Sequence, residues 1–274
     1  MVVVHNVAQS GFGAGTNELY DRARPSYQSN ALSAIREAVK ASPPFNVVDI
    51  GAGTGLFTKA LLKHTDFSST IKELRAMEPS AGMRDIFVKT VEDERVSVRE
   101  GTFDTTNIED GWADLVTIAQ AFHWCPDFDA ASAEFARILK PNGIVAIIWN
   151  VADRDAARWV AQLRAQVEQH EPAGTPQQRQ NLWRNAFDTE SYKKAFQPPV
   201  EKTWAYTLPC DVSLAVDRAT TTSYIQNLPA DAKSKVLNEI KTIVERGDDK
   251  VWINESEGTF EYPYQTLLVI AQKK

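Results

Sequence analysis

Residues 45–56 read FNVVDIGAGTGL and constrain the fold of this chain more than any other stretch. An apolar run rich in Val and Ile ends in an acid, and three glycines follow at alternate positions. Phe57, Ala60 and Leu61 then recur at helical spacing, so the pattern predicts a buried strand, a tight turn and a helix. Glycines in such a turn adopt positive φ and let backbone N–H groups approach a ligand closely.

Asp49 indicates the charge of that ligand. Dinucleotide-binding turns follow G-x-G-x-x-G, whereas here the third glycine is Gly55 and Leu56 occupies the place that this motif needs. The carboxylate of Asp49 would repel a pyrophosphate and suit a cationic ligand. A turn that only packs under a helix would explain the glycines but not the acid.

Predicted strands and helices alternate along the first 150 residues, which is typical of βαβ units and a parallel sheet. Two further strands are predicted at 202–208 and 264–271. The sequence therefore predicts an α/β fold with a doubly wound, mostly parallel, seven-stranded sheet and helical cap insertions. Ligands of such sheets bind beyond the carboxyl ends of the strands. The first five predicted strands end at Gly51, Glu78, near Gly101, Gln120 and Asn150.

The 274 residues are predicted to form one domain. Residues 1–16 are expected to be a flexible leader, and about 17–150 form the ligand-binding core. Residues from about 151 to 250 supply a cap and substrate-side helices with one core strand, and 260–274 supply the C-terminal strand. Within the cap, residues 172–199 are rich in Gln, Asn, Pro and aromatic side chains.

The composition limits the kinds of partner that we expect for this chain. The net charge is −6, with no long Lys/Arg run, which argues against a nucleic-acid partner. The two cysteines, Cys125 and Cys210, are too few for a disulfide framework, which suits a reducing compartment. We expect both side chains to be buried as small apolar groups. No signal peptide and no run of about twenty apolar residues is found, so we expect a cytoplasmic protein without a membrane partner. We expect no metal, and a monomer or weak dimer.

Glu78 is a second candidate ligand residue, 23 positions beyond Gly55 at the end of the second predicted strand. An acid about twenty residues past a glycine turn can accept hydrogen bonds from both hydroxyls of a ribose. Taken alone, it could instead be an acid stabilised at a helix start.

Four motifs together resemble the class I S-adenosylmethionine (SAM) methyltransferases. They are D-x-G-x-G-x-G at 49–55, E-P-S-x-x-M at 78–83, A-Q-A-F-H-W at 119–124 and I-L-K-P-N-G at 138–143. The resemblance is to a small-molecule branch that includes trans-aconitate methyltransferase and fungal relatives, some of them gliotoxin-type dithiol S-methyltransferases. It covers about residues 20–150 well and the remainder only loosely.

The resemblance implies SAM as cofactor and S-adenosylhomocysteine (SAH) as its product. Tyr20 and Arg24 would fold over the methionine carboxylate of SAM. Thr102 departs from the acid that relatives often carry there, so the adenine amino contact falls to Thr102 or Asp104. The implied cofactor-binding residues are Tyr20, Arg24, Asp49, Gly51, Gly53, Gly55, Glu78, Pro79, Ser80, Met83, Thr102, Phe103 and Gln120.

The acceptor is expected over the ends of the fourth and fifth strands, beside Phe122, His123, Trp124 and Trp149 and aromatic side chains of segment 172–199. His123 is the candidate catalytic base because an imidazole titrates near neutrality, and the alternative is that it only packs in its loop. A Trp-lined wall favours a neutral, partly aromatic metabolite over a tricarboxylate, unless arginines of the cap supply cations.

The predicted function is methyl transfer to a small-molecule acceptor, by S- or O-methylation of a metabolite or secondary metabolite, possibly a thiol. A nicotinamide-dependent oxidoreductase and a non-catalytic SAM-binding protein are the alternatives.

Overall fold

A computed structural model describes Leu19 and residues 22–274 of the protein. Its strands, in chain order, are β1 (Phe45–Ile50), β2 (Ile71–Met77), β3 (Val96–Arg99), β4 (Ala113–Ala119), β5 (Leu139–Ala152), β6 (Val200–Cys210), β7 (Trp252–Asn254) and β8 (Thr259–Gln272). Its α-helices are α1 (Ser29–Ala38), α2 (Leu56–Lys63), α3 (Thr65–Ser68), α4 (Ala81–Thr90), α5 (Phe128–Ile138), α6 (Arg158–Glu168), α7 (Glu190–Ala195), α8 (Val212–Thr220), α9 (Ser223–Gln226) and α10 (Ala230–Arg246).

All eight strands form one sheet in the order β3-β2-β1-β4-β5-β8-β6, with β7 pairing on β8. The first five strands pair in parallel, and β8 runs antiparallel to both β5 and β6. Every residue of β4 is buried, as expected for a central parallel strand covered on both faces. The doubly wound α/β fold is confirmed, with an eighth short strand that the sequence pattern did not predict.

Each face of the sheet carries its own apolar core. One core joins the sheet to α1–α4 through residues such as Ile35, Phe57 and Phe87. The other core joins the sheet to α5, the 3₁₀ helix Leu182–Asp188 and α7. Its members include Trp149 and Trp183. The sheet is therefore a middle layer, and the chain crosses from one face to the other at the carboxyl ends of the parallel strands.

A third, smaller core builds the cap. Helices α6, α8, α9 and α10 pack together and against the beginning of β8, where Phe260, Tyr262 and Tyr264 are buried. Residues 172–199 were also expected in the cap, yet their aromatic side chains Trp183, Tyr192 and Phe196 lie in the core beneath the sheet. The aromatic content of that segment therefore stabilises the domain and does not line an exposed wall.

The turn predicted at 140–143 is retained inside a longer strand. Strand β5 begins at Leu139, and its register with β4 shifts between the pairs Ala113–Leu139 and Leu115–Ile144. Asn142 takes a φ of 62°, so the Asn-Gly pair forms a bulge within the strand.

The predicted leader lies outside the described residues, and so does Tyr20. The predicted domain boundaries stay a prediction. Within the described part of the chain, no helix has both the length and the apolar character needed to cross a bilayer.

Candidate functional site

Asp49 lies completely buried beneath the glycine turn. Its two carboxylate oxygens accept hydrogen bonds from the hydroxyls of Thr58 on α2, at 2.6 Å, and Thr117 on β4, at 2.9 Å. Burial raises the pKa of Asp49 to about 6, against the lowering effect of the two hydroxyls. Asp49 therefore joins β1, α2 and β4 beneath the turn.

The glycine turn has no room for a side chain at Gly51 but has room at Gly53. Gly51 has a φ of +70°, and a Cβ there would lie 2.7 Å from the Cβ of Ala121. Gly53 also has a positive φ, of +58°, but a Cβ there would meet only the sulfur of Met83, at 3.6 Å. Gly51 is thus required by packing, whereas Gly53 borders space that a ligand can enter. Gly55 caps the start of α2 and packs against Phe87 and Val91.

Glu78 connects the glycine turn to the end of β2. Its carboxylate oxygens accept from the backbone N–H groups of Gly53, at 2.9 Å, and Ser80, at 2.8 Å. Burial raises the pKa of the Glu78 carboxyl, while these two backbone donors oppose the shift. The loop beyond Glu78 is held by Arg84, which donates to the carbonyls of Glu78 and Pro79. The hydroxyl of Ser80 accepts from the backbone N–H of Met83, as expected for a helix cap.

The loop after β3 reaches the same edge of the sheet. The Thr102 hydroxyl donates to Asp104 at 2.8 Å, so the two residues expected to read adenine already contact each other. The ring of Phe103 lies edge-on to Phe122, and it stands 4.0 Å from where a Cβ of Gly51 would be. The structure thus places the loop after β3 beside the glycine turn.

A latch of hydrogen bonds holds segment 22–26 across the strand ends. Arg24 donates to the hydroxyl and the carbonyl of Thr221, at 2.9 and 3.2 Å. Asn150, buried at the end of β5, donates to the carbonyl of Ser26 and accepts from the Thr266 hydroxyl. The carbonyl of Asn150 accepts from the side chain of Gln120, which adopts a φ of +56° at the end of β4.

A cavity of about 340 Å³ lies beside this latch, over the ends of β4, β5 and β8. Its walls come from residues 24–25, the strand ends, α6, residues 177–179, α8 and residues 222–224. Gln120, His123 and Trp124 line it; Gln120 was expected to bind the cofactor, and His123 and Trp124 the acceptor. The volume falls within the range of small-molecule sites.

His123 has a fixed tautomer. The indole N–H of Trp149 points at the imidazole Nδ1, 3.3 Å away. An indole can only donate, so Nδ1 must accept and the proton of the neutral ring must be on Nε2. Burial lowers the pKa of His123 to about 3, which keeps the ring neutral. His123 therefore presents an N–H donor and has no free lone pair with which to act as a general base.

The position expected for Trp149 needs correction. Its side chain is fully buried and packs against Trp183 with 4.6 Å between the centroids of the tilted rings, so it supports His123 from the core. Phe122 is likewise buried, among Phe103, Phe128 and Phe135. An indole near a strand end can point to either face of the sheet, and that of Trp149 points to the face whose core contains Trp183.

The two cysteines are buried, as the composition indicated. Burial raises the pKa of both the Cys125 and the Cys210 thiol to about 12, so neither is a nucleophile at neutral pH.

The sequence motifs did not predict several residues of the cavity wall. Arg218 on α8 and Tyr224 on α9 belong to helices that the sequence presents only as amphipathic. Tyr262 and Tyr264 recur at alternate positions of β8, and this spacing places them on one face of the strand.

Comparison with known proteins identifies the domain. A family model described as a methyltransferase domain matches residues 48–147. This match extends from β1 into β5. The fold is that of the class I methyltransferases, and SAM is the cofactor of this fold.

Two relatives and one solved structure illustrate the similarity. An uncharacterized methyltransferase of Schizosaccharomyces pombe is 31% identical over 52% of this chain and 53% of its own length, so the chain spans about half of that relative. An uncharacterized methyltransferase of Mycobacterium tuberculosis is 27% identical over 82% of each protein. Haemonchus contortus phosphoethanolamine N-methyltransferase 2, solved in complex with SAM, aligns with a TM-score of 0.57 at 13% identity, over 100% of this chain and 60% of its own.

The residues at the glycine turn fit SAM. SAM is cationic and has no phosphate, and the buried acid Asp49 stands below the turn. The open side at Gly53 and the carboxylate of Glu78 lie together, as a nucleoside with two ribose hydroxyls requires. When bound, SAM supplies an activated methyl group on a sulfonium.

We expect Glu78→Ala to weaken SAM binding by about 1.5–3 kcal/mol, because charged hydrogen bonds to the ribose are lost. Isothermal titration calorimetry measures the change, and a thermal melt verifies folding. Glu73→Ala, on the same strand but half-exposed, is the control. An unchanged dissociation constant in folded Glu78→Ala would remove Glu78 from the cofactor site.

We expect Asp49→Asn to remove a pH dependence of stability. The pKa of Asp49 is about 6 in the folded protein and 3.8 unfolded, so its contribution to stability is full below pH 3.8 and is lost as pH rises through 6. Relative to the variant, the free energy of unfolding of the unmodified protein should fall by about 1–3 kcal/mol between pH 4 and 7.

Urea unfolding of both proteins at pH 4, 5, 6 and 7 measures this difference. Asp85→Asn changes an exposed acid on α4 and is the matched control. If the Asp49 and Asp85 variants show the same pH dependence, burial does not raise the pKa of Asp49.

We expect Trp149→Phe to allow both neutral tautomers of His123, because the indole donor is lost while an aromatic ring remains in the core. Long-range ¹H–¹⁵N NMR on protein labelled at its four histidines should show only Nε2–H for His123 from pH 5 to 8 in the unmodified chain, and a mixture in the variant. Trp183→Phe is the control, since that indole donates to the carbonyl of Gln178 instead. A His123 resonance that titrates near pH 6.5 in the unmodified chain contradicts the assignment.

Proposed function

We propose that this chain is a SAM-dependent methyltransferase whose acceptor is a small molecule bound in the cavity over β4, β5 and β8. The observation that carries the proposal is the position of the cavity. It begins at Gln120 and His123, at the end of the strand that pairs with β1, and β1 leads into the glycine turn. A methyl group carried by a cofactor in that turn would face the cavity across one strand spacing, about 4.8 Å.

The protein's part in the reaction is alignment and exclusion of water. The acceptor's lone pair would attack the methyl carbon, the carbon–sulfur bond would break, and SAH would leave with the bonding pair. Gln120 is held by Asn150 and His123 by Trp149, so the two polar groups at the end of β4 are fixed before a ligand arrives.

The neutral His123 favours an acceptor that is already nucleophilic. Because Nδ1 accepts from Trp149 and Nε2 bears the proton, His123 would donate to the acceptor and not deprotonate it. A carboxylate, an enolate or a thiolate needs no base, and methylation at its oxygen or sulfur is the reaction proposed. In this proposal His123 positions the acceptor.

The finer family placement also belongs to this proposal. The four motifs favour the small-molecule branch with trans-aconitate methyltransferase and the fungal S-methyltransferases, and a role in secondary metabolism. A cytoplasmic monomer or weak dimer remains the expectation from composition. The nicotinamide-dependent alternative has no support from the comparisons.

Calorimetric titration of the full chain with SAM, SAH and NAD tests the class of cofactor. We expect binding of SAM and SAH and none of NAD, because Asp49 and Leu56 oppose a pyrophosphate at the turn. A screen with methyl-labelled SAM against carboxylic acids, thiols, phenols and amines then tests transfer. Labelled product from an acid or a thiol supports the proposal. SAM binding without transfer to any class would favour the non-catalytic SAM-binding alternative, and NAD binding without SAM binding would overturn both.

A further inference from the structure

The acceptor cavity is lined by more cations than anions. Five arginines and three carboxylates contribute to its wall. The arginines are Arg24, Arg154, Arg164, Arg179 and Arg218, and the carboxylates are Asp153, Asp155 and Glu168. This excess of positive charge differs from the chain as a whole, whose net charge is −6.

Three of these arginines share acidic partners. Glu168 forms ion pairs with Arg154 at 2.5 Å and Arg164 at 3.1 Å, and it lies 3.6 Å from Arg179. Arg179 also pairs with Glu171 at 2.6 Å. Their charge is therefore largely compensated within the cap.

Arg218 differs from these three. It forms no ion pair with any residue that the structure describes, and its Nη1 is buried there without a hydrogen-bond partner. Its Nε donates to the carbonyl of Ala23 at 3.0 Å. The guanidinium carbon lies 5.2 and 5.6 Å from the ring centroids of Tyr262 and Tyr264, within the range of a cation–π contact with each ring.

A second polar group of the wall also lacks a partner. Tyr224 is 4% exposed, and its hydroxyl has no hydrogen-bond partner among the described residues. Burial raises the pKa of this phenol, so the group is a neutral donor. Unpaired buried donors of this kind are costly, and their cost is recovered when a ligand supplies the acceptor atoms.

We propose that the acceptor carries a carboxylate, or another anionic oxygen acid, and that Arg218 and Tyr224, which both line the cavity, bind it. This inference rests on the proposed function and names the chemical class of its acceptor. A planar guanidinium packed over two neighbouring tyrosine rings can form two parallel hydrogen bonds to a carboxylate. It replaces the neutral aromatic acceptor that the sequence favoured.

The methionine carboxylate of SAM is a second source of the same chemistry, and a titration with SAM must distinguish it from the acceptor, because Arg218 donates to the carbonyl of Ala23 beside Arg24. The glycine turn follows β1, whereas Tyr262 and Tyr264, which hold Arg218, belong to β8. Strands β1 and β8 are separated by three strand spacings, about 14 Å. Arg24, which donates a hydrogen bond to Thr221, is the residue that the family resemblance assigns to the cofactor carboxylate.

The test uses matched pairs of carboxylic acids and primary amides with the same carbon skeletons, detected by ligand-observed NMR. Each pair is titrated against the full chain with and without SAH. We expect acids to bind at least tenfold more tightly than their amides. Arg218→Gln should abolish this preference, and Tyr224→Phe, which keeps the ring and removes only the hydroxyl, should reduce acid affinity about threefold to tenfold.

Arg184→Gln is the matched control, because Arg184 pairs with Glu201 outside the cavity and the variant loses the same charge. It should leave the preference for acids unchanged. Equal binding of acids and amides, or no binding of any acid, overturns the inference. So does an acid preference that survives in both Arg218→Gln and Tyr224→Phe.

Titration of the Arg218→Gln variant with SAM separates the two sources. A SAM affinity within twofold of the unmodified chain supports an acceptor site, whereas a tenfold loss with acid binding unchanged assigns Arg218 to the cofactor and overturns the inference. Failure of the proposed function looks different: the unmodified chain would then not bind SAM or SAH, although the preference for acids over amides would persist without them.

Discussion

The buried carboxylate of Asp49 is the interaction on which the site depends. A charged group without contact with solvent is stable only if its oxygens are hydrogen-bonded, and here two threonine hydroxyls from different elements supply the donors. This requirement fixes β1 against α2 and β4, and the turn between β1 and α2 must then pass over the acid. The positive φ values of that turn and its close approach to Ala121 follow from this geometry. The protein thus holds an acid beneath the glycine turn at a cost in desolvation.

The sequence predicted the parts of the site that depend on local geometry. The strand, glycine turn and helix of residues 45–63 need only local sequence, because turn chemistry and periodicity are local properties. The acid at the end of β2 was also predictable, since parallel strands of a doubly wound sheet bring their carboxyl ends to one edge. The positions of the tryptophans were not, because periodicity does not tell which of two buried faces an indole enters. Trp149 and Trp183 therefore formed core where a ligand wall was expected.

The acceptor cavity was the least predictable feature because its wall comes from segments that are far apart in the chain. Arg218 contacts the backbone of Ala23 and the rings of β8, and each contact spans tens to hundreds of residues. Nothing in the sequence around Arg218 distinguishes it from an ordinary arginine of an amphipathic helix. Its significance appears only when the neighbouring arginines are seen to be paired with acids and this one is not. The same applies to Asn150, whose two side-chain hydrogen bonds join segment 22–26 to β8.

The place of β8 in the sheet has a consequence for biosynthesis. This strand follows every other strand in the chain, yet it lies between β5 and β6 and pairs with both along their length. As the ribosome delivers the polypeptide, the outer edge of β5 remains unpaired, and β6 has no neighbour, until more than a hundred further residues have emerged after β5. Apolar strand edges that stay unpaired during synthesis pair readily with other chains. We therefore expect a chain interrupted before β8 to aggregate more readily than the full chain, despite its complete glycine turn.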